Sequence, residues 1–279
     1  MSADTSPFFI VSSGRSGTAM LHKALSTVSG VEMHHEYMVH IVQPLAVRRY
    51  MGWASREEAL ETLCATYGAA IAYSGALHWG DSSNKASWLI SELAELFPDA
   101  KFVHLVRDGR KVASSYFHKL KDECYDDRST LALAAYAADP AGQLPPPPPE
   151  KKYWWPLARP NDPRSAAFSG FNQFERIAWH WAEINRVILD SLGELPRERR
   201  HFVRLEELQA NPQAVARLFA FLDLHCRRDT AAMFVRPHNV NRPEDKLLDV
   251  RQRVQFDAIA YAMMERLGYA ETPEYVVNY

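Results

Sequence analysis

The sequence predicts an α/β fold with three layers, in which helices cover both faces of a central parallel sheet. Short apolar runs typical of strands alternate with longer runs of helical spacing, and this alternation favours a parallel sheet. In addition, 47% of the 279 residues are hydrophobic, which is enough for a substantial core. The alternation continues beyond a proline-rich stretch at about residues 140–168. We therefore expect one domain over residues 1–279, with this stretch as an inserted loop.

Three runs have the composition of buried strands. Residues 7–13, PFFIVSS, are bounded by proline and glycine, and residues 101–107, KFVHLVR, are strongly apolar. Residues 200–208, RHFVRLEEL, form the third predicted strand. The first two runs lead directly into helical patterns, which predicts strand–loop–helix units.

Apolar residues at helical spacing predict helices between and after these strands. Helices are predicted over residues 17–28, 34–44, 56–74, 86–97, 109–121, 171–192, 211–224 and 251–269. Gly30 and Gly268 are plausible stop signals for two of them. Residues 143–165 contain a proline run and are predicted to form a long loop with polyproline character.

Composition excludes several classes of protein. A balance of 32 basic and 34 acidic residues argues against a general binder of nucleic acid. Cys64, Cys124 and Cys226 are far apart and form no CxxC pair, so a disulfide framework or a structural zinc site is not expected. No apolar run reaches the roughly 18 residues of a membrane span, and no cationic lead of a signal peptide is present. We expect a cytoplasmic protein without a membrane span, and its oligomeric state stays open.

The stretch IVSSGRSGTAML, residues 10–21, runs from a predicted strand through a short loop into a helix. Such a loop directs backbone N–H groups and the positive end of the helix at one spot, where an anion binds. Its two glycines let the backbone approach the anion, and its hydroxyl and guanidinium groups add donors. These donors belong to Arg15, Ser16 and Thr18.

Two other interpretations of this loop compete with anion binding. One is a simple strand-to-helix turn with a solvated Arg15. The other is an ATP-type loop, which needs Gly-x-x-x-x-Gly-Lys-Ser/Thr. Gly14 and Gly17 are too close for that pattern and no lysine follows Gly17, so the specific triphosphate interpretation fails.

A second anion-binding pattern lies in FVHLVRDGRKVASSYF, residues 102–117. The predicted strand ends in Arg107, and Ser115 follows eight residues later in the next helix. The carboxyl ends of parallel strands meet at one edge of a sheet, so this pair is suited to a second phosphate near the first loop. The alternative is an arginine salt-bridged beside Asp108 and a serine that only caps backbone groups.

Taken together, the two motifs resemble those of the sulfotransferase family, which uses 3′-phosphoadenosine-5′-phosphosulfate (PAPS). The family's first loop reads Lys/Arg-Ser-Gly-Thr, here SSGRSGTAML, and its second element reads Arg-Asp-Pro-Arg-x-Val-x-x-Ser, here RDGRKVASS with Gly109 in place of proline. HFVRLEELQANPQAVARLFAFLDL resembles its late strand, acidic turn and helix. The resemblance runs from about residue 8 to residue 245 and implies a P-loop NTPase-like sulfotransferase fold. The pattern is closest to bacterial and carbohydrate sulfotransferases.

The resemblance implies a donor with a 5′-phosphosulfate and a 3′-phosphate, and no metal. Arg15 would also stabilise the negative charge that develops on the departing phosphate oxygen. Met20 stands where many relatives have a tryptophan against adenine, so the adenine platform is not identified. The donor-binding residues that the resemblance implies are Ser13, Gly14, Arg15, Ser16, Gly17, Thr18 and Ala19 for the 5′ end, Arg107 and Ser115 for the 3′-phosphate, and Arg242 or Lys246 in place of a missing Arg-Lys-Gly element.

The acceptor hydroxyl needs a base, and relatives that act on carbohydrates have a glutamate a short distance after the loop cation. Glu36 matches that position, and we expect it at the start of the second helix. An exposed helical glutamate is the alternative, and His34, His35 and His40 compete as bases because histidine titrates near neutral pH. Val39 stands where a His-Glu-x-x-His metal site would need its second histidine, so no metal is expected here.

Lys85 lies in DSSNKASWL, before a predicted helix, where carbohydrate sulfotransferases have a Lys-Thr/Ser-Pro-like element. By this resemblance Lys85 would sit beside the transferred sulfonate, although Ala86 and Ser87 replace the usual residues. A solvated surface lysine is the alternative.

The implied activity is transfer of the sulfuryl group from PAPS to a hydroxyl of a small-molecule or carbohydrate acceptor. Two alternatives are a small-molecule kinase, which would need Mg²⁺ and an acidic ligand near the loop, and a catalytically silent nucleotide-binding protein. The sequence does not identify the acceptor. Trp53, Trp79 and the stretch YWWPLARP either line an aromatic pocket or belong to the core, and the proline-rich loop is a candidate lid.

Overall fold

Five parallel strands form the central sheet of the computed structural model, which describes residues 5–139, 142–235 and 247–274. They lie in the order β2-β3-β1-β4-β5. All four neighbouring pairs are parallel, which confirms the predicted α/β fold with a parallel central sheet. The strands are β1 (Ser6–Val11), β2 (Val31–His35), β3 (His78–Ser82), β4 (Lys101–Val106) and β5 (Arg200–Arg204).

Helices connect the strands and follow the last one. Within the described residues they are α1 (Thr18–Leu25), α2 (Val39–Met51), α3 (Arg56–Leu63), α4 (Ala69–Tyr73), α5 (Ile90–Leu96), α6 (Gly109–Leu120), α7 (Asp127–Ala137), α8 (Ser165–Phe168), α9 (Gln173–Gly193), α10 (Leu205–Ala210), α11 (Pro212–Phe221), α12 (Arg228–Val235) and α13 (Val250–Arg266). A π-helical turn, Cys64–Gly68, joins α3 to α4. Short 3₁₀ turns cover Ala86–Trp88, Lys121–Glu123, Lys151–Tyr153 and Arg197–Arg199.

The core consists of two apolar clusters, one on each face of the sheet. Successive side chains of a strand point to opposite faces, so Phe9 and Val11 of β1 enter one cluster while Phe8 and Ile10 enter the other. Helices α2, α5, α6, α9 and α13 contribute to the first cluster, and α1, α10, α11 and α12 contribute to the second. The helices therefore cover both faces, as the sequence predicts.

Two strands, β2 and β3, were missed by the sequence pattern because both are largely polar. β2 reads VEMHH and β3 reads HWGDS, so neither has the apolar run that identifies a buried strand. Gly80 explains how β3 fits between its neighbours. A Cβ atom there would clash with the ring of Phe8 and lie 2.7 Å from the sulfur of Met33.

The predicted helix at residues 34–44 is wrong at both ends. His34 and His35 belong to β2, and α2 begins only at Val39 and continues through Pro44 to Met51. A proline inside a helix removes one backbone hydrogen bond. The helix persists here because its apolar residues, including Leu45, pack in the core.

Because the sheet is parallel, four strands deliver the residues that follow them to the same edge. β1, β2, β3 and β4 end at Val11, His35, Ser82 and Val106. This is the carboxyl edge at which open α/β sheets bind ligands.

Gly80→Ala should destabilise the fold, because the added methyl group overpacks the contact between β3 and β1. The cost of overpacking is about 1–3 kcal/mol, which is measurable as a lower free energy of unfolding in urea. Gly75→Ala is the matched control, since a Cβ atom at Gly75 would meet nothing within 4 Å. Equal effects of the two substitutions would contradict this account of β3.

Candidate active site

The loop between β1 and α1 is built on left-handed backbone. The φ angle is 79° at Gly14, 54° at Arg15 and 97° at Gly17. A Cβ atom at Gly17 would lie 2.6 Å from a methyl carbon of Leu205, and one at Gly14 would lie 2.7 Å from Asn84 Nδ2. Both positions therefore require glycine, for conformation and for space.

Hydrogen bonds hold this loop in one shape. Ser16 Oγ donates to the Gly14 carbonyl over 3.0 Å, and Gly14 N donates to Ser12 Oγ over 3.0 Å. Ser87 Oγ makes two hydrogen bonds to the backbone of Ser12. It accepts from the Ser12 N–H at 2.9 Å and donates to the Ser12 carbonyl at 3.0 Å. α1 begins after Gly17 without a side-chain cap, so no side chain takes the N–H groups at this helix start. That arrangement is suited to an anion.

The second motif meets the first at Arg15. Arg15 Nε donates to Ser115 Oγ over 3.0 Å, and Arg107 Nη1 donates to the Arg15 carbonyl over 3.1 Å. Tyr116, next to Ser115 in α6, donates to the Ser13 carbonyl over 2.8 Å. Arg107 Nε is buried and has no hydrogen-bond partner among the described residues. The structure thus brings together the two arginines and the serine that the motifs singled out.

Glu36 lies in the turn after β2, before the second helix rather than at its start. Its φ angle is 54°, and its N–H donates to the Ser82 carbonyl over 3.2 Å. Lys85 Nζ is 3.5 Å from Glu36 Oε1, and Lys151 Nζ forms an ion pair with Glu36 Oε2. Burial raises the pKa of this carboxyl, but the two ammonium groups outweigh burial and lower it to about 2. Glu36 is therefore a carboxylate at neutral pH.

Lys85 follows β3 and is buried, with only 6% of its surface exposed. Its Nζ lies 4.9 Å from the centre of the Trp155 ring, within cation–π distance. Burial lowers the pKa of its ammonium group, and Glu36 opposes that shift. The structure excludes a solvated surface lysine at this position and places Lys85 beside Glu36.

The three histidines near Glu36 have other partners. His34 Nε2 lies 2.9 Å from Glu32 Oε1, and His35 Nδ1 lies 2.9 Å from both oxygens of Ser82. His40 is on the surface, 3.4 Å from a backbone carbonyl of the proline-rich segment. Burial lowers the pKa of His35, which favours its neutral form.

The first half of the chain matches a known family. The model described as "Sulfotransferase family" matches residues 7–139, which include both loops, Glu36 and Lys85. Over these residues, just under half of the chain, the sequence is similar to the sulfotransferase family. No curated protein matches the sequence significantly.

Solved sulfotransferases share the fold at low sequence identity. The sulfotransferase domain from the curacin biosynthetic pathway is 16% identical with a TM-score of 0.54, over 96% of this chain and 99% of that one. The sulfotransferase from Alicyclobacillus acidocaldarius is 18% identical with a TM-score of 0.51, over 95% of each chain. The sulfotransferase domain of the Synechococcus PCC 7002 olefin synthase is 16% identical with a TM-score of 0.52, over 99% and 97%. These likenesses establish the fold.

A narrow cleft with a volume of about 10 Å³, room for about one water molecule, lies beside Lys85. Helices α2 and α9, the turn after β3 and the proline-rich segment, residues 143–164, form its walls. The lining residues are Gln43, Ala46, Val47, Asn84, Lys85, Trp88, Trp154, Trp155, Pro156 and His180. The Trp-Trp pair predicted either for a pocket or for the core does line this cleft. Trp79 is fully buried in the core, and Trp53 packs edge-on against Tyr136.

The side-chain amide of Gln43 connects the proline-rich segment to the rest of the site by hydrogen bonds. Gln43 Nε2 donates to the carbonyls of Lys151 and Trp154, over 3.0 and 2.6 Å. Together with the ion pair between Lys151 and Glu36, these bonds hold the segment over the cleft. Sequence reasoning singled out the segment as a candidate lid but missed Gln43 and Lys151, because neither lies in a motif.

Arg242 and Lys246 lie outside the described residues. Met20, at the position of the adenine tryptophan in many relatives, is buried in the core. Within residues 5–139, 142–235 and 247–274, no cluster of three potential metal ligands occurs, and no helix is long and apolar enough to cross a membrane.

Replacing Lys151 with methionine should raise the pKa of Glu36 towards its ordinary value of 4.5, because one of its two ammonium neighbours is lost. The pKa is measurable by ¹³C NMR of the glutamate carboxyls, assigned by comparison with Glu36→Gln. Lys152→Met is the matched control, since Lys152 pairs with Glu150 instead.

The ion pair between Glu36 and Lys151 also predicts how the stability of the fold changes with pH. The pKa of Glu36 is depressed in the folded chain, so its charge stabilises the fold above pH 4.5, and that contribution is lost as the pH falls towards 2. The loss of stability over this window should be smaller in Lys151→Met than in Lys152→Met. An unchanged Glu36 pKa in Lys151→Met would show that the ion pair is absent in solution.

Proposed function

We propose that this chain transfers the sulfuryl group of PAPS to a hydroxyl of a small-molecule or carbohydrate acceptor. The observation that carries the proposal is the convergence of Arg15, Arg107 and Ser115 at the sheet edge where Glu36 and Lys85 also lie. Two positive groups and a helix start suit a ligand with two phosphate-containing ends, and a carboxylate beside a buried lysine suits proton and sulfonate chemistry.

For the donor, we assign the 5′-phosphosulfate to the loop Ser13–Ala19 and the 3′-phosphate to Arg107 and Ser115. The loop supplies backbone N–H groups, hydroxyls and the Arg15 guanidinium, all of which bind phosphate oxygens. Arg107 Nε has no hydrogen-bond partner among the described residues, which leaves this donor free for a phosphate oxygen.

In the proposed reaction, Glu36 accepts the proton of the acceptor hydroxyl as the hydroxyl oxygen forms a bond to sulfur. The bond from sulfur to the 5′-phosphate oxygen breaks, and Arg15 stabilises the negative charge that this oxygen gains. Lys85 stabilises the oxygens of the transferred sulfonate. An ion-paired carboxylate with a pKa of about 2 is a weak base, and loss of the Lys151 contact would make Glu36 a stronger one.

Arg107→Ala should weaken binding of 3′-phosphoadenosine-5′-phosphate (PAP) far more than binding of adenosine 5′-phosphate. A hydrogen bond to a charged group contributes roughly 1.5–3 kcal/mol, so the affinity for PAP should fall about 10- to 150-fold. Isothermal titration calorimetry measures both affinities, and a thermal melt checks the fold. Equal losses for the two nucleotides would remove Arg107 from the 3′-phosphate site.

Glu36→Gln tests the reaction directly, in an assay that follows transfer of labelled sulfate from PAPS to an acceptor panel in the presence of a metal chelator. Loss of a positioned general base should lower kcat by about 10²–10⁴-fold, while PAP affinity stays the same. Sulfation in the chelator separates this activity from a Mg²⁺-dependent kinase. A Glu36→Gln variant with parental kcat would exclude Glu36 as the base, and one sensitive His34→Ala, His35→Ala or His40→Ala variant would favour a histidine.

A further inference from the structure

The corner between β5 and α10 contacts both of the loops that we assign to the donor. A Cβ atom at Gly17 would lie 2.6 Å from a methyl carbon of Leu205, so this leucine packs directly against the first loop. The next residue, Glu206, accepts a hydrogen bond over 3.1 Å from the backbone N–H of Asp108 in the second loop. The fifth strand is parallel to its neighbour, so its carboxyl end lies at the same edge and supports both loops.

The hydrogen bond to Glu206 fixes the peptide unit that follows Arg107. Asp108 is the N-cap residue of α6, so its N–H group has no partner within that helix. The residue is only 1% exposed, which leaves little access for water. An unpaired buried N–H group is unfavourable, so the bond to Glu206 constrains the backbone that carries the Arg107 side chain.

The charge of Arg107 is not used by the acidic residues around it. Asp108 forms its ion pair with Arg110, over 2.7 Å between Oδ2 and Nη2. Glu206 Oε1 accepts from the Asp108 N–H, and Glu206 Oε2 accepts from the Tyr269 hydroxyl over 2.8 Å. Glu206 therefore acts on the backbone beside Arg107 and does not compete with a phosphate group for the guanidinium.

Glu206 is itself held in place by the segment that ends α13. The Tyr269 hydroxyl donates to its carboxylate, and the Tyr269 ring lies 5.1 Å from the guanidinium carbon of Arg204. Arg204 Nη2 donates to the Leu267 carbonyl over 2.7 Å, which ties the end of β5 to the end of α13. These contacts restrict the orientation of the Glu206 carboxylate, so that it faces Asp108.

We propose that Glu206 is a positioning residue of the donor site, which holds Arg107 where the 3′-phosphate binds through its bond to the Asp108 N–H. This role rests on the proposed function. Arg107 is also tied to the first loop, since its Nη1 donates to the Arg15 carbonyl. Because the start of α10 packs against the first loop as well, it fixes the two loops relative to each other. The spacing between the 5′ and 3′ phosphate subsites is therefore set by this corner.

Loss of the Glu206 carboxylate should weaken binding only for ligands that use Arg107. In Glu206→Met the Asp108 N–H loses its acceptor, and the loop can turn this group towards water. A ligand with a 3′-phosphate must then restore the original loop geometry, which lowers its apparent affinity. The cost of leaving one buried group unpaired corresponds to roughly 5- to 150-fold in affinity. Adenosine 5′-phosphate has no 3′-phosphate and should bind almost as before.

Calorimetry of PAP and adenosine 5′-phosphate gives the preference for the 3′-phosphate as a ratio of two dissociation constants. Glu206→Met should lower this preference by roughly 5- to 150-fold, whereas Glu206→Gln, which keeps an acceptor oxygen, should retain it. Glu207→Met is the matched control, because Glu207 is the neighbouring acid and its basic partner is Arg204, at 3.7 Å. A Glu206→Met chain with the wild-type preference overturns the inference.

A double-mutant cycle separates positioning from a general loss of stability. If Glu206 acts through Arg107, adding Glu206→Met to Arg107→Ala should lower the preference little further. Independent losses that multiply in the double variant overturn the inference. Thermal melts check the fold of each variant. If Glu206→Met does not fold, Glu206→Asp replaces it, since its carboxylate is one methylene too short for the same contacts. An unchanged preference in Glu206→Asp then overturns the inference.

Binding of PAP to the wild-type chain keeps the two proposals apart. A chain that does not bind PAP, or whose preference for PAP survives Arg107→Ala, contradicts the donor site of the proposed function. A chain that binds PAP through Arg107 and is insensitive to Glu206 contradicts only the positioning role.

Discussion

The parallel alignment of the strands is the constraint on which the whole site depends. It makes β1, β2, β3 and β4 end at one edge, so residues far apart in sequence meet there without long excursions of the chain. The strand order places β1 between β3 and β4. The loop at Arg15 therefore has Arg107 on one side and Lys85 with Glu36 on the other. An antiparallel strand in any of these places would carry its residue to the opposite edge.

The fold also concentrates charge that the composition does not reveal. The chain as a whole has a formal net charge of −2, yet Lys85 and Lys151 both pair with Glu36 at this edge, and Arg15 and Arg107 meet at the same edge. Burial raises the pKa of the Glu36 carboxyl, and the adjacent ammonium groups lower it to about 2 and keep it ionised. The clustering of these four basic side chains is thus a property of tertiary structure.

The parts of the fold and site that could be predicted from the sequence are those that a short local stretch specifies. β1 and β4 are apolar runs joined to compact motifs, so their strands and the roles of Arg15, Arg107 and Ser115 could be predicted together. β2 and β3 were not predictable in this way, because Trp79 and Gly80 make a buried strand only when Phe8 and Met33 surround them. The roles of Gln43 and Lys151 were not predictable either. Their contacts link segments more than 100 residues apart, and no local pattern records such pairings.

The attachment of the proline-rich segment by Gln43 has an evolutionary consequence. Under the proposed function, the groups that hold the nucleotide come from the loops after β1 and β4, whereas two indoles and one lysine facing the acceptor come from residues 143–164. The two sets occupy separate stretches of the chain and are joined by the Gln43 amide, the Lys151–Glu36 ion pair and core packing of the two indoles. Under the proposed function, substitutions in the segment would change the acceptor side of the site without altering the nucleotide-binding loops. That separation makes this fold a permissive starting point for new acceptors.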